Sequence, residues 1–404
     1  KSSPVLADFN LDGILEIVFI SVNSNMSTLF VINGEGQDLN GFPLNIPERI
    51  ISGPSVADLD SDMGLDIILT STENNVNVIN SSGTFREGFP YETSGSLDYA
   101  ATIVDINNDQ DLEIIVGDSD GDLYVINKDG SLITSSSVGG TLNSGISVAD
   151  LDDNGQFELL FSASLNQQYD NNLLHAYNPF SQSEIFGWPI SLDALSFSEP
   201  IISDLDNDMD LEVLITTLSG KNYIFHHDGS RYNNFPFIIE GDSILVSSSL
   251  GDLDNDGDYE IIFGTLNSLH VIDFQGTYGD RFSWNTYRAN NYRDGFINLE
   301  LAELENENNN SYSNFSVSQN YPNPFNPTTE IKYYIPKNKS VKINIYDLTG
   351  RNIKSLINMN KSAGHHYVRW DGTNNYGELV SAGMYIYVIQ SEEFLATKKM
   401  LLLK

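Results

Sequence analysis

Six short stretches of the sequence carry oxygen-bearing side chains at a repeated spacing. Each is a nine-residue window with Asp, Asn or Glu at positions 1, 3, 5 and 9, and successive windows begin 45 to 54 residues apart. We call these windows acidic loops one to six. Their first residues are Asp8, Asp58, Asp105, Asp150, Asp204 and Asp252. Such side chains suit calcium, which takes about six to eight hard oxygen ligands.

The predicted metal ligands are the side chains at positions 1, 3, 5 and 9 of each loop. Carboxylates at alternate positions of a tight loop converge on one point, and a backbone carbonyl near position 7 and water complete the shell. The sequence therefore predicts about one Ca²⁺ per repeat. The ligands are Asp8, Asn10, Asp12, Glu16; Asp58, Asp60, Asp62, Asp66; Asp105, Asn107, Asp109, Glu113; Asp150, Asp152, Asn154, Glu158; Asp204, Asp206, Asp208, Glu212; and Asp252, Asp254, Asp256, Glu260.

Other ions and other loop types fit this pattern less well. Magnesium prefers a stricter geometry and keeps its waters, and zinc favours His or Cys, which the loops lack. An EF-hand requires Glu at position 12, where loop one has Phe19 and loop two has Leu69. For any single loop, carboxylates that only cap a turn through Asx hydrogen bonds are an alternative. Six loops in register favour calcium.

Position 6 divides the loops into two groups. Glycine there eases a turn that requires positive φ. We expect loops one and six to bind calcium best, because loop four also has glycine but carries Asn154 at position 5. The position-6 residues are Gly13, Gly155 and Gly257 in loops one, four and six, and Met63, Gln110 and Met209 in loops two, three and five.

Apolar runs flank the loops. Residues 54–57 precede loop two, and residues 114–116 and 123–126 follow loop three. Continuous runs of this length are typical of strands buried on both faces. An aromatic–proline pair ends four repeats and suits an edge strand, as at Phe89-Pro90. Four strands per repeat predict an all-β fold, a β-propeller with about six four-stranded blades. An array of β-sandwiches would instead show alternating polarity.

The loops and their flanking strands resemble FG-GAP/VCBS-type repeats, best known from the propellers of integrin α-subunits. The resemblance covers about residues 1–295 and recurs six times. It implies a propeller with one calcium loop between the first two strands of each blade. We place this propeller domain at residues 1–298.

Charge is divided unevenly along the chain. Residues 1–314 carry 9 basic and 50 acidic side chains, whereas residues 315–404 carry 11 basic and 6 acidic ones. A shift of this size predicts two domains. Residues 299–314 are polar and acidic without apolar periodicity, which predicts a linker. Residues 315–404 are interpreted as a small immunoglobulin-like β-sandwich, with candidate strands at 330–335, 341–346, 365–370, 383–390 and 396–403.

This C-terminal segment closely resembles the C-terminal sorting domain of the type IX secretion system. The resemblance implies the secretion machinery as a partner. It also implies a secreted protein, or one attached to the outer-membrane surface, of a Gram-negative Bacteroidota-like bacterium. An ordinary immunoglobulin-like accessory domain is the alternative. Five matching runs occur in order, at residues 320–328, 345–351, 364–372, 381–387 and 398–404.

Composition excludes several classes of protein. The net charge of −36 is incompatible with a general nucleic-acid binder, which needs a basic face. The absence of cysteine excludes disulfides and a Cys nucleophile. No apolar run approaches the length of a membrane span. The chain begins at Lys1 without a signal peptide, so we expect a mature or truncated product.

Candidates for other chemistry are few. Asp118, Asp120 and Asp122 could form an extra ion site, although a hairpin turn is favoured. His226-His227 precede a turn and are interpreted as ordinary strand-end residues. Trp188 and Trp284 could stack on sugars, but Trp188 occupies the aromatic–proline position of its repeat, which favours a structural role. Residues 283–291 are predicted to form an outer strand that closes the last blade.

Two classes of function are compatible with the sequence. The favoured one is a secreted or cell-surface, calcium-binding propeller that acts as a non-catalytic binding or adhesion module for an extracellular glycan or protein. The alternative is a propeller-based polysaccharide lyase, or the accessory part of a larger secreted hydrolase. A lyase needs a base beside a charge-neutralising site, and the few basic residues of the acidic part are widely spread. No catalytic motif was found, so no catalytic residue is assigned.

Overall fold

The structure, a computed structural model, falls into two compact units, Lys1–Glu303 and Leu304–Lys404. The division lies within residues 299–314, the predicted linker, which is outside the described residues. The described residues form strands and turns, with no helix long and apolar enough to cross a membrane. They are 3–165, 171–239, 242–254, 258–274, 279, 284, 286–290, 293–297, 316–317, 320, 325–335, 339–347, 351–361, 364–391 and 394–403.

The described residues of the first unit form six sheets that follow one another along the chain, the blades of a propeller. Neighbouring strands within each blade are antiparallel. Blade one contains β1 (Val5–Ala7), β2 (Glu16–Asn23), β3 (Met26–Ile32) and β4 (Leu44–Ile46); blade two contains β5 (Ser55–Ala57), β6 (Asp66–Thr70), β7 (Asn75–Ile79) and β8 (Tyr91–Glu92); blade three contains β9 (Thr102–Val104), β10 (Glu113–Gly117), β11 (Asp122–Asn127) and β12 (Leu132–Ser137).

Blades four to six follow the same plan with local variation. In blade four an extra short strand pairs with the end of the strand at residues 158–164, and two short strands share the outer edge of the strand at residues 172–178. Blade four contains β13 (Thr141–Leu142), β14 (Ser147–Ala149), β15 (Glu158–Ser164), β16 (Asn172–Asn178), β17 (Ser183–Glu184) and β18 (Ile190–Leu192); blade five contains β19 (Ile201–Ser203), β20 (Glu212–Thr216), β21 (Lys221–His226) and β22 (Phe237–Ile238); the described part of blade six contains β23 (Ser249–Gly251), β24 (Tyr259–Gly264) and β25 (Leu269–Phe274).

The inner strands of the blades are buried on both faces, as their continuous apolar runs predict. Every residue of β6, β10, β15 and β20 is buried. The first strands of neighbouring blades contact one another, β1 with β5, β5 with β9, and β14 with β19. They therefore line the centre of the unit. Each acidic loop connects this central strand to the following strand of the same blade.

Neighbouring blades also contact through a glycine before the aromatic–proline pair. Gly88 has a φ of 90°, and a Cβ on it would lie 2.0 Å from the carbonyl oxygen of Asp129 in the next blade. Only glycine fits this combination of positive φ and close backbone approach. The following Pro90 directly precedes the outer strand β8, which confirms the edge position predicted for these prolines.

The described part of residues 284–297 lies against the central strands and not at an outer edge. Trp284 exchanges two backbone hydrogen bonds with Ile202 of β19, 3.0 and 2.7 Å long. β26 (Phe296–Ile297) pairs in parallel with β9. The prediction of an outer strand over residues 283–291 is therefore wrong for the part that is described. Trp284 is 1% exposed, so it is not available to stack on a sugar.

A buried carboxylate explains this central placement. Glu199, which precedes β19, accepts hydrogen bonds at Oε1 from the Trp284 indole at 2.8 Å and from the Arg288 backbone N–H at 2.9 Å. Burial raises the pKa of Glu199 to about 7, and the buried guanidinium of Arg288 partly opposes that rise. Arg288 also donates to Ser55 Oγ at 2.6 Å. These contacts join blades five and two across the centre.

The second unit is a β-sandwich of two sheets with an apolar interior. Trp370 and Tyr387 are fully buried between the sheets. The five strands predicted here are confirmed, and the sandwich has two further strands, at residues 316–317 and 352–361, that were not predicted. One sheet contains β27 (Ser316–Val317), β28 (Thr329–Ile335) and β31 (Gly364–Trp370), and the other contains β30 (Asn352–Lys361), β29 (Lys339–Asp347), β32 (Gly383–Ser391) and β33 (Phe394–Leu402).

Candidate metal centres in the acidic loops

The aspartate at position 1 organises acidic loops one to four through its two carboxylate oxygens. In loop one, Asp8 Oδ1 accepts the N–H of Asp12 at 3.0 Å, and Asp8 Oδ2 accepts the N–H of Gly13 at 2.9 Å. Asp58, Asp105 and Asp150 accept the corresponding pair of N–H groups in loops two, three and four. The loop backbone thus curls around this carboxylate, which leaves the remaining lone pairs for another ligand.

The acid at position 9 starts the next strand and closes the loop from the other side. Glu158 Oε2 accepts the N–H of Leu151, at position 2, at 3.0 Å. The same bond is made by Glu16, Glu113, Glu212 and Glu260 at 2.8, 3.1, 2.9 and 2.5 Å. Position 9 is buried in all six loops, whereas the described residues at positions 3 to 5 are exposed or half-buried, so a strand end and a loop present carboxylates to a common point.

The loop backbone takes positive φ at two positions. The predicted positive φ at position 6 is confirmed, with 84° at Gly13 and 82° at Gly155. Loops without glycine adopt the same conformation, with 73°, 74° and 76° at Met63, Gln110 and Met209. Position 4 also has positive φ, for example 60° at Leu11, although the residue types at this position do not predict it.

We expect Gln110→Gly to stabilise the chain by about 1 kcal/mol, because a residue with a side chain pays a steric cost at positive φ that glycine avoids. Gln156→Gly, one position later in loop four, is the control and should destabilise the chain by about 0.5–1 kcal/mol. Urea unfolding of both variants measures the two changes. Equal losses of stability would show that position 6 is not strained.

Three carboxylates come within 4.8 Å of one another in four of the six loops. Loops one and three have Asn at position 3, and no such group of three was found in them among the described residues; there Asn10 and Asn107 donate to Glu16 and Glu113 at 3.4 Å. Asp256 lies outside the described residues. The groups are Asp58, Asp60, Asp62; Asp150, Asp152, Glu158; Asp204, Asp206, Glu212; and Asp252, Asp254, Glu260.

Loop five provides the test of whether a cation fits. Oδ1 of Asp204 and Oδ1 of Asp206 are buried and have no hydrogen-bond partner among the described residues. Both belong to the group that includes Glu212. Buried carboxylate oxygens without partners are costly. A bound cation would satisfy them, and the all-oxygen donor set fits calcium.

Burial raises the pKa of the loop carboxyls where a shift is resolved. The pKa rises to about 7 for Glu113 and Glu158 and to about 8 for Glu212, with the neighbouring aspartates adding to the rise. Burial likewise raises the pKa of Asp204, at position 1 of loop five, to about 6. The loops therefore hold carboxylates that resist ionisation until a positive charge compensates them.

Several side chains outside the nine-residue windows reach the loops. His226 Nδ1 lies 3.1 Å from Glu212 Oε1, so this histidine contacts the site and is more than a strand-end residue. The Tyr232 hydroxyl donates to Asp206 Oδ2 at 3.2 Å. Arg86 binds both Asp60 and Asp66, and Lys128 binds Asp111. Motif scanning missed these residues, whereas alignment of the repeats on their aromatic–proline pairs would have placed Arg86 and Tyr232 in register.

A cavity of about 810 Å³ opens beside loops one, two and three. Its wall includes the position-1 carboxylates Asp8, Asp58 and Asp105, together with leucines of the same loops such as Leu15 and Leu59. Asp294 and Phe296, from the segment against the central strands, also line it. Acidic and apolar surfaces thus meet where three candidate metal centres converge.

The remaining candidates have structural roles in the described residues. Asp118 Oδ1 accepts the N–H groups of Asp120 and Asp122 at 3.0 Å, which confirms the hairpin turn between β10 and β11. Trp188 is 7% exposed and donates its indole N–H to the His227 carbonyl at 2.9 Å. Trp188 and Trp284 are thus both buried, and neither is placed to bind a sugar.

Family comparisons match one part of each unit. Residues 204–263 match the FG-GAP-like repeat, and residues 325–393 match the FlgD Ig-like domain. The first match covers loops five and six and agrees with the repeat resemblance. The second agrees with an immunoglobulin-like sandwich. No curated protein matches the chain.

Several solved structures are similar to this chain at low sequence identity. Sqt1 of Saccharomyces cerevisiae is 15% identical over 65% of this chain and 69% of its own, with a TM-score of 0.49. The biofilm matrix protein Bap1 of V. cholerae is 15% identical over 99% and 65%, with a TM-score of 0.45. BamB from Moraxella catarrhalis is 12% identical over 98% of both chains, with a TM-score of 0.44. We draw no functional argument from them.

Proposed function

We propose that the chain is a secreted or cell-surface β-propeller that is stabilised by calcium in its acidic loops and acts as a non-catalytic binding or adhesion module. The observation that carries this proposal is loop five, where buried carboxylate oxygens converge without hydrogen-bond partners. The shared loop geometry extends the argument to the other repeats.

In each loop the chain itself supplies the ligands and their orientation. The side chains at positions 1, 3, 5 and 9 would hold the ion, and the backbone N–H groups that position 1 and position 9 accept keep those carboxylates aimed inward. Calcium, when bound, supplies the positive charge that compensates the converging carboxylates. Because each loop connects two inner strands of its blade, a bound ion that orders the loop would also stabilise those strands.

The cavity beside loops one to three is the proposed ligand site, and an extracellular glycan or protein segment is the proposed ligand. Calcium in loops one and three would set the shape of the part of the wall that Asp8 and Asp105 form. We expect the full chain to bind a glycan array in about 1 mM calcium and to lose that binding in EDTA. Leu15→Glu, in the cavity wall, should abolish the binding, whereas Leu132→Glu, at a similarly exposed leucine of the outer strand β12, should not. Equal effects of the two variants would exclude this cavity.

We further propose that the second unit directs export through the type IX secretion machinery. Five ordered sequence runs support this, and the immunoglobulin-like fold of the unit is compatible with it. In a host that carries this system, deletion of residues 320–404 should retain the chain in the periplasm. Surface display of the truncated chain would exclude the proposal, and the full chain with a tag after Lys1 is the positive control.

Calcium binding should weaken as the pH falls from about 8 to about 5. Folding without calcium raises the pKa of Glu158 from 4.5 to about 7 and that of Glu212 from 4.5 to about 8. The folded chain therefore keeps protons that the unfolded chain has already lost, so the free energy of unfolding in EDTA falls as pH rises from about 4.5 to about 8. With calcium this trend should weaken or reverse, because the ion stabilises the ionised carboxylates. Urea unfolding across this pH range, with and without calcium, measures both slopes, and parallel slopes would contradict the account.

A further inference from the structure

Among the described residues, loop two differs from the other loops in having an arginine within its carboxylate group. Arg86 Nη2 lies 2.9 Å from Asp60 Oδ2, at position 3, and Nη1 binds Asp66 Oδ2, at position 9. The guanidinium thus bridges the loop and the strand that closes it. A calcium ion in loop two would need the carboxylates at both of these positions, 3 and 9, as ligands.

Three other blades have a residue at a position structurally equivalent to that of Arg86. It lies three residues before the aromatic–proline pair, and its backbone N–H donates to Val78 in β7 at 2.9 Å. Leu39, Ile185 and Tyr232 occupy the same place in blades one, four and five and donate to the third full strand of their blades at 2.9, 3.1 and 2.9 Å. We call this place the loop-facing position. In blade five its Tyr232 hydroxyl reaches Asp206, also at position 3, so in two blades the side chain there points at the metal loop.

A second change in loop two accompanies the arginine. Position 9 is Glu in the other five loops and the shorter Asp66 in loop two. Asp66 still accepts the N–H of Leu59, at 3.3 Å, but through the same oxygen that binds Arg86. The planar guanidinium contacts the loop and the strand at once, with one Nη on Asp60 and the other on Asp66, and the single ammonium of lysine does not reproduce this fork.

We propose that Arg86 is the built-in cation of loop two, which therefore binds no calcium, and that the side chain at the loop-facing position decides whether a repeat needs the ion. This inference rests on the proposal that the loops bind calcium. The guanidinium already occupies one oxygen on each of two ligand carboxylates, so it competes with calcium for them and would repel a divalent ion a few ångströms away. Blade two would then stay ordered when calcium is removed.

Exchange of the loop-facing residues between blades tests the proposal. Arg86→Leu gives blade two the leucine of blade one and should raise the number of calcium ions bound per full chain by one. Arg86→Leu combined with Asp66→Glu should bind that added ion more tightly. Leu39→Arg should lower the number by one. Native mass spectrometry at increasing calcium counts the ions, and far-UV circular dichroism confirms that each variant is folded.

The outcomes separate this inference from the proposed function. If the unchanged chain binds several ions and neither Arg86→Leu nor the double variant binds one more, the role of Arg86 is wrong while calcium binding stands. If neither the unchanged chain nor any variant binds calcium, both proposals are wrong. A gain in Arg86→Leu together with a loss in Leu39→Arg would establish the loop-facing position as the determinant.

Discussion

Removal of calcium with EDTA is expected to lower the melting temperature of the first unit by more than about 10 °C. A loop with a Kd of about 10⁻⁴ M gains about 1.4 kcal/mol at about 10⁻³ M free calcium, and about five such loops add to several kcal/mol. For a unit of this size each kcal/mol corresponds to about 2–4 °C. The chain has no disulfide to replace this stabilisation.

The second unit provides an internal control for this experiment, because it contains none of the acidic loops. Its melting transition should not move when EDTA is added, and Mg²⁺ at the same concentration should restore the first unit only weakly. Differential scanning calorimetry of the full chain resolves both effects. If the melting temperature of the first unit is the same in calcium and in EDTA, calcium does not stabilise this unit.

Glu158→Gln is expected to change the stability of the chain in opposite directions with and without calcium. Glutamine keeps a side-chain oxygen that can accept the Leu151 N–H, which Glu158 accepts at 3.0 Å, but it carries no charge. In EDTA at about pH 8 the variant should be more stable by about 1–2 kcal/mol, because a buried charge beside Asp150 and Asp152 is removed. In calcium it should be less stable, because a charged ligand is lost.

The matched control is Glu87→Gln, at an exposed glutamate outside the loops. This substitution also removes one negative charge and should change stability by less than about 0.5 kcal/mol in either condition. Urea unfolding of both variants with and without calcium gives the four values needed. A loss of stability in both conditions at position 158 would indicate that Glu158 acts only as a hydrogen-bond acceptor for the backbone.

The repeated parts of the molecule could be predicted from the sequence because their signals are local. The pattern of each acidic loop lies within nine residues and its flanking strands are short apolar runs, so the number and order of the blades follow from this local spacing. The positive φ at position 6 could be predicted for the same reason, since Gly13 and Gly155 occur there.

The parts that could not be predicted depend on contacts between distant residues. Trp284 was placed at an outer edge because nothing near it in the sequence shows that its indole meets Glu199, 85 residues earlier. Arg86 was not associated with loop two because it lies 20 residues beyond Asp66, on the far side of two strands. The packing of strands within and between blades brings such residues together, and the nine-residue pattern carries no information about these contacts.

The most direct test of the central claim is calcium titration of the full chain by isothermal calorimetry. With Arg86 serving loop two, we expect saturation near five ions per chain, with proton release that grows as the pH is lowered from about 8 towards about 6. No heat of calcium binding, together with no calcium retained after dialysis, would contradict the account and leave the acidic loops as turns held only by their own hydrogen bonds.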